Sequence, residues 1–432
     1  MLPLAPRGLV FPGDSGISRG IVGHGFKKFS PRFGFAYDPF GDGKTSVRGG
    51  YGVFYDTLRI VGVNGYSTTQ PFSLGITTFD PFSLTDPYRN APTIPSRLVA
   101  YGSATKESRK TTAFVPQVVA NSVDPNFTTG YMQQWNLSVQ REVAHEMVLT
   151  AAYVASKGTH FWVGQNINPG VFIPGQSTPG NLDSRRIYQP FANINNIQPT
   201  ANSTYHSLQL SWKKRFSKGY SVLGSYTWSK FIDLASSDTG ANNPFDWKSD
   251  KGRSDFDIRH RFVTSFIYEL PFFSRKKGVE RMVLGGWQVN GIVTLQTGQP
   301  FSVGAGQDRS VSGGGTRADS VSKATDFNGK ARAQKVFGYL DRAQFSLPAL
   351  GSHGNTGRNI LSAPGMANVD FSAFKDFNVG EHRRFEFRWE IFNLFNRANF
   401  FAPNSNWSSA QFGWLNSARD PRIMQAGLKF IF

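Results

Sequence analysis

From Arg383 to Phe395 the chain alternates. Phe385, Phe387, Trp389 and Ile391 lie two residues apart, and Arg384, Glu386, Arg388 and Glu390 fill the gaps. A period of two belongs to a strand, because successive side chains point to opposite faces. The same rhythm recurs in Ser30–Pro39 and Thr45–Asp56, in Tyr131–Val143 and Met147–Ser156, and in Tyr205–Phe216 and Gly219–Phe231. It appears again in Asn368–Phe377 and in the final segment Arg422–Phe432. Within Tyr131–Val143, Trp135, Leu137 and Val139 oppose Gln134, Asn136, Ser138 and Gln140; Leu208, Leu210 and Trp212 oppose Ser207, Gln209 and Ser211. Each strand has one apolar and one polar side.

Short and long connections alternate between these strands. Turn signals rich in Gly, Asp and Lys fall near residues 40, 145, 218 and 380, with a longer one at 271–284. Polar Gly/Asn/Ser/Pro-rich segments fall at about 57–130, 163–203, 233–258 and 298–366. Short loops at one end and long ones at the other fit an antiparallel transmembrane β-barrel, with tight periplasmic turns and long extracellular loops. A soluble sandwich also has amphipathic strands, but it gives no reason for that asymmetry. The pattern predicts an all-β chain with an irregular lead-in or partial strand over 1–30 and barrel over 31–432. Eleven strands are clear, and thirteen result if Gly65–Phe79 and Thr112–Val119 form another pair. Both counts are odd, whereas bacterial single-chain barrels have even numbers. The chain therefore reads as the C-terminal part of a larger barrel.

Composition sharpens the reading. Aromatic residues make up 14% of 432, with 39 Phe and 45 Gly, yet the mean hydropathy is −0.33, as expected where large apolar side chains interleave with polar ones. There is no cysteine, which removes disulfides, thiolate metal sites and thiol nucleophiles. The formal charge of +18 is scattered, as in Trp212-Lys213-Lys214-Arg215 and Glu381-His382-Arg383-Arg384. Such spacing suits a solvated face or attraction to an anionic lipid surface better than nucleic acid. No stretch approaches the ~18 consecutive apolar residues of a membrane helix. The start, MLPLAPRGLVFPGDSG, lacks the apolar core of an export signal.

Candidate chemistry is sparse. Gly13-Asp14-Ser15-Gly16 imitates a serine-protease nucleophile motif, but no upstream histidine and aspartate can serve it, so it reads as a turn. Gly313-Gly314-Gly315 follows no strand and precedes no helix, and reads as a flexible loop tip rather than a phosphate cradle. The histidines have no metal-ligand spacing. Asp255, Asp257, Arg259, His260 and Arg261 form the densest polar cluster: either a ligand or cation site at the outer mouth, or charge pairing where a loop meets a strand. Nothing suggests an enzyme or a cofactor.

The last strand closes on Met424, Ala426, Leu428, Phe430 and Phe432, alternate apolar positions ending in an aromatic residue. It resembles the C-terminal signal that the outer-membrane assembly machinery recognises. Several motifs resemble the barrel of Oar-like TonB-dependent receptors, numerous in Acidobacteria: Ser30–Thr45, Val47–Asp56, Gln134–Arg141, Asp257–Phe262, Gly354–Asn359 and Glu390–Asn396. The resemblance implies the outer membrane of a Gram-negative bacterium, a barrel of roughly 22 strands and capture of an extracellular ligand. Uptake would be driven by TonB–ExbB–ExbD through a plug. Neither a plug nor a TonB box is recognisable in this sequence. A structural or adhesive barrel without transport, a truncated and non-functional receptor fragment, and a secreted polysaccharide-binding β-protein are the alternatives.

Overall fold

The computed structural model describes residues 5–11, 13–17, 28–56, 118–237, 241–273, 278–324, 332–380 and 383–432, with Gln70, Thr85 and Phe114. Its frame is an antiparallel sheet whose neighbours in space are neighbours in sequence. The wall strands are β1 (Arg32–Tyr37), β2 (Thr45–Tyr55), β4 (Tyr131–Ala144), β5 (Met147–Asn166), β6 (Phe191–Ser217), β7 (Tyr220–Asp233), β9 (His260–Glu269), β10 (Trp287–Gln296), β15 (Met366–Val379), β16 (Arg383–Phe392) and β17 (Ile423–Ile431). Two short strands attach at the upper end: β3 (Val118–Val123) parallel to β6, and β8 (Gly252–Arg253) on β7. Two more pairs stand apart, β11 (Pro300–Phe301) with β14 (Leu361–Ser362), and β12 (Asp319–Ser320) with β13 (Phe345–Ser346). Among the described residues the wall runs from β1 to β17 without closing.

The turns explain the register. In the β6–β7 hairpin Ser217 pairs with Tyr220, and Lys218 and Gly219 both take positive φ, 52° and 81°. Two left-handed residues match the twist of the flanking strands. In the β1–β2 turn the Asp38 carboxylate accepts from the N–H groups of Gly43, Phe40 and Gly41, which holds it below the usual carboxylate range. The Gly43 bond is the largest cause.

Register then carries one face across the whole wall, because directly paired residues share a face. Tyr51 pairs with Trp135, Leu137 with Tyr153, Tyr153 with Leu208, and Leu208 with Trp228. Farther on, Tyr226 pairs with Phe262, Phe262 with Leu295, Ala373 with Trp389, and Phe387 with Leu428. The opposite face carries Gln140, Ser138, Gln209, Thr227, Arg261, Gln296, Glu390 and Gln425. Lys375 is a charged residue on the apolar face. Its ammonium bends to the Gly285 carbonyl between the rings of Trp287 and Phe377, 5.6 and 5.0 Å away.

Three expectations need correction. The segment 163–203 is not one loop: β5 runs to Asn166 and β6 begins at Phe191, leaving 167–190 between them. The 27 residues of β6 span roughly 90 Å of contour at ~3.3 Å each. β2 pairs directly with β4, so the expected extra pair does not stand between them in the wall; Val118 and Val119 enter β3, which pairs parallel to β6. Gly65–Phe79, apart from Gln70, lies outside the described residues, as does His382. Third, Gly313 is held in place. The Asp308 carboxylate accepts from the N–H groups of Val311 (2.9 Å) and Gly313 (2.8 Å) and from the Ser310 hydroxyl. Those donors are already taken. Gly13–Gly16 is a turn, with Asp14 N–H donating to the Phe11 carbonyl.

The long connections have a core of their own. Phe301, Val303, Ala318, Tyr339, Leu340, Phe345, Leu361 and Ala363 from the β10–β15 connection pack with Phe412 and Leu415 from the β16–β17 connection. The Trp407 indole N–H donates to the Phe345 carbonyl (3.0 Å), and the Tyr339 hydroxyl donates to the Ser362 carbonyl (2.7 Å). This cap is a folded unit, built where polar loops were expected.

Candidate functional site

The polar cluster read from the sequence divides in two. Asp257 is fully buried; it accepts from the Phe231 N–H (2.7 Å) and from Arg253 Nε (2.8 Å), with Arg259 3.6 Å away. Asp255 is more exposed, and accepts from Asn359 Nδ2 (2.6 Å) while lying 3.5 Å from Arg358. His260 and Arg261 belong instead to the wall. Arg261 opens the polar face of β9 beside Thr227. His260 is on the apolar face, stacked on Tyr226, whose hydroxyl is 2.8 Å from His260 Nδ1.

What gathers around Asp255 and Asp257 is larger than the sequence suggested. Asp233 closes β7 and pairs with Arg358 at 2.6 Å; both side chains are nearly buried. The Arg358 guanidinium also donates to the Asp250 carbonyl (3.2 Å) and to Ser236 Oγ. Asp250 forms an ion pair with Arg317. Arg253 donates to Ser362 Oγ (2.9 Å), and Asn359 donates to the Arg253 carbonyl (2.8 Å). Alternating carboxylates and guanidiniums therefore stitch the 234–259 connection to the cap. Each buried charge has an opposite partner and further hydrogen bonds, which is what permits its burial. Arg185 performs the same service from the 167–190 connection. No carboxylate pairs with it among the described residues, and its guanidinium donates to the carbonyls of Val171, Thr178 (3.1 Å) and Val311 (3.0 Å).

A polar cavity of about 150 Å³ lies inside this network, between Gln165, Trp247, Asp250, Asp255 and Arg358. Indole, guanidinium, amide and carboxylate groups offer a stacking surface with both donors and acceptors. That set suits a small hydroxylated or anionic group. Among the described residues no group of three His, Asp or Glu side chains could hold a metal ion.

Asp233, Asp250, Arg253, Arg317, Arg358 and Asn359 were missed as site residues. Arg358 and Asn359 do lie in the Gly354–Asn359 motif, the one sequence signal that could have found them. At the chain's end, Phe430 lies tilted against Phe385 with centroids 4.7 Å apart, and Phe432 lies 5.8 Å from Phe430. Met424, Ala426, Leu428 and Phe430 face the same way as Ile391, Trp389, Phe387 and Phe385.

Comparison with known proteins gives the setting. Residues 3–425 match the family described as outer membrane beta barrel domain. No curated protein matches by sequence. Among solved structures, the outer membrane transporter YddB from Escherichia coli is similar at 8% identity and a TM-score of 0.46, covering 93% of this chain and 40% of its own. The ferripyoverdine receptor of the Pseudomonas aeruginosa outer membrane gives 11% identity and a TM-score of 0.42, covering 94% and 33%. The siderophore receptor PiuA from Acinetobacter baumannii gives 9% and 0.43, covering 93% and 35%. The chain thus spans well under half the length of each.

Proposed function

Because this chain belongs to the outer membrane beta-barrel domain family, we propose that it is the wall and surface cap of a TonB-dependent receptor of the Oar-like type. The apolar face meets lipid, the polar face lines a lumen, and the long connections capture a ligand at the cell surface. Energy reaches the ligand through a plug and TonB–ExbB–ExbD. The terminal strand, through Met424, Ala426, Leu428, Phe430 and Phe432, is the handle for the assembly machinery.

One observation carries this reading: all five long connections leave the wall at the same end, and three of them are locked together by buried ion pairs and carbonyl bonds around a small polar cavity. A wall needs no such cap. A receptor does, because ligand recognition demands a fixed surface.

The test uses the complete gene in its own cell, with uptake of labelled candidate nutrients followed in the presence and absence of TonB. Removing 299–361, cap strands included, should abolish capture while leaving the barrel in the membrane. Uptake that survives loss of the cap or of TonB would sink the receptor reading. A structural or adhesive barrel would then stand in its place.

A further inference from the structure

A second cleft, of about 840 Å³, lies where β7, β9, β10 and β15 give way to their long connections. Its floor is apolar. Tyr226, Phe262, Leu295 and Ala367 form one cross-strand row, each paired directly with the next, on the face that elsewhere carries Leu208, Trp389 and Leu428. His260 lies one step above, beside Trp228. The rim is cationic: Arg253, Arg259 and Arg397 all border the cleft.

The charges do not balance. Arg253 and Arg259 share the single carboxylate of Asp257, at 2.8 and 3.6 Å. Arg397 is exposed, and no ion pair to its guanidinium is found among the described residues. Three guanidiniums against one carboxylate leave a surplus of two positive charges directly above a lipid-facing floor. Guanidinium forks match phosphate oxygens in geometry as well as charge. A soluble phosphate would use the rim and leave the floor bare, whereas an amphiphile uses both.

We infer that this cleft binds a phosphate-bearing glycolipid of the outer leaflet, with its phosphate under Arg259 and Arg397 and an acyl chain along Phe262 and Leu295. Arg253, held by Asp257 and by Ser362, fixes the rim. The cleft thereby ties membrane lipid to the same Asp257 that anchors the 234–259 connection, so headgroup and cap share a residue. The inference rests on the preceding reading only in placing the long connections on the cell surface.

The test begins with the full-length protein extracted from outer membranes in mild detergent and examined by native mass spectrometry. One phosphorylated glycolipid should remain bound. The double substitution Arg259→Gln with Arg397→Gln should lower its occupancy at least tenfold, while Arg388→Gln, on the polar face of β16, should not. On the unaltered protein, phosphorylated lipid A micelles should restore the bound lipid after delipidation, and dephosphorylated lipid A should not. Equal retention by the double variant, or equal binding of the dephosphorylated lipid, would overturn the inference. So would displacement by millimolar inorganic phosphate, which would mark a site for the free anion. Retention of an inner-leaflet phospholipid in place of the glycolipid would overturn both this inference and the orientation beneath it. Failure of uptake with glycolipid retained would overturn only the transport reading.

Discussion

Replacing Arg358 by alanine should open the cap without touching the wall. The guanidinium and its partner Asp233 are nearly excluded from solvent, with side chains 12% and 4% exposed, so water screens their attraction weakly. Alanine leaves the Asp233 carboxylate buried without a cation and removes one donor each from the Asp250 carbonyl and the Ser236 hydroxyl. Breaking a buried pair from one side costs about 3–5 kcal/mol. The contact to Asp255, a side chain 57% exposed, adds little. At ~1.4 kcal/mol per tenfold, cap opening should become roughly a hundred to a few thousand times more frequent. Hydrogen exchange reads this directly: the amides of Asn242, Ser254 and Ala318 should lose at least a hundredfold protection, while Leu210 and Val293 in the wall stay unchanged. Adding Asp233→Ala should restore part of the protection, since both charges are then gone. Protection within threefold of the unaltered protein would refute the claim that this pair holds the cap.

Three further outcomes follow from other residues. Burial, the largest cause, pushes the His353 imidazole below the usual histidine range, although Asp308 nearby works the other way and Arg317 with burial. The opened cap therefore takes the proton first: the stability is present above about pH 6.5 and lost as pH falls through the lowered native value. Protection of the cap amides, corrected for the intrinsic exchange rate at each pH, should be lower at pH 5 than at pH 7.5, and His353→Gln should flatten that difference; an unchanged slope would refute it. A Cβ on Gly298 would overlap the Ala363 carbonyl, so Gly298→Ala should disrupt the β11–β14 pairing and make the cap sensitive to protease. Leu428→Arg puts a charge on the lipid face at a cost of about 2–4 kcal/mol near the bilayer centre, whereas Gly427→Arg points to the polar face with nothing within 4 Å of a new Cβ. Only the first should lower the fraction of heat-modifiable barrel in outer membranes, and equal losses would show that the faces were assigned wrongly.

The wall was legible because lipid enforces the pattern. Where one side of a strand faces hydrocarbon, every second residue must be apolar, and all eleven wall strands announce themselves. The rule fails at the start of β6. Asn193, Asn195, Asn196 and Gln198 read as loop, yet they lie in that strand. The cap was illegible for a different reason. Phe301, Leu340 and Phe412 follow no period and meet across about a hundred residues, so no local window contains the core they form. The cluster at Asp255–Arg261 was visible as a density of charge, but its partners Arg358 and Asn359 come from a separate segment. Its terminal members, His260 and Arg261, were drawn in by adjacency alone; the strand period then sends their side chains to opposite sides of the wall.

The division of the cap core between two connections has a consequence for the order of assembly. Leu340 and Phe345 are made before the β15–β16 hairpin, and Phe412 and Leu415 after it. Strand pairs joined by tight turns close over a few residues, whereas this core must close over the hairpin. Compaction of the cap is therefore a late event, waiting on the segment that hangs between β16 and β17. Until then Phe301, Tyr339 and Phe345 lack part of their cover. Resistance of the cap to protease thus dates the moment when the last stretch of wall is in place, and gives a clock for biogenesis written into the surface of the protein.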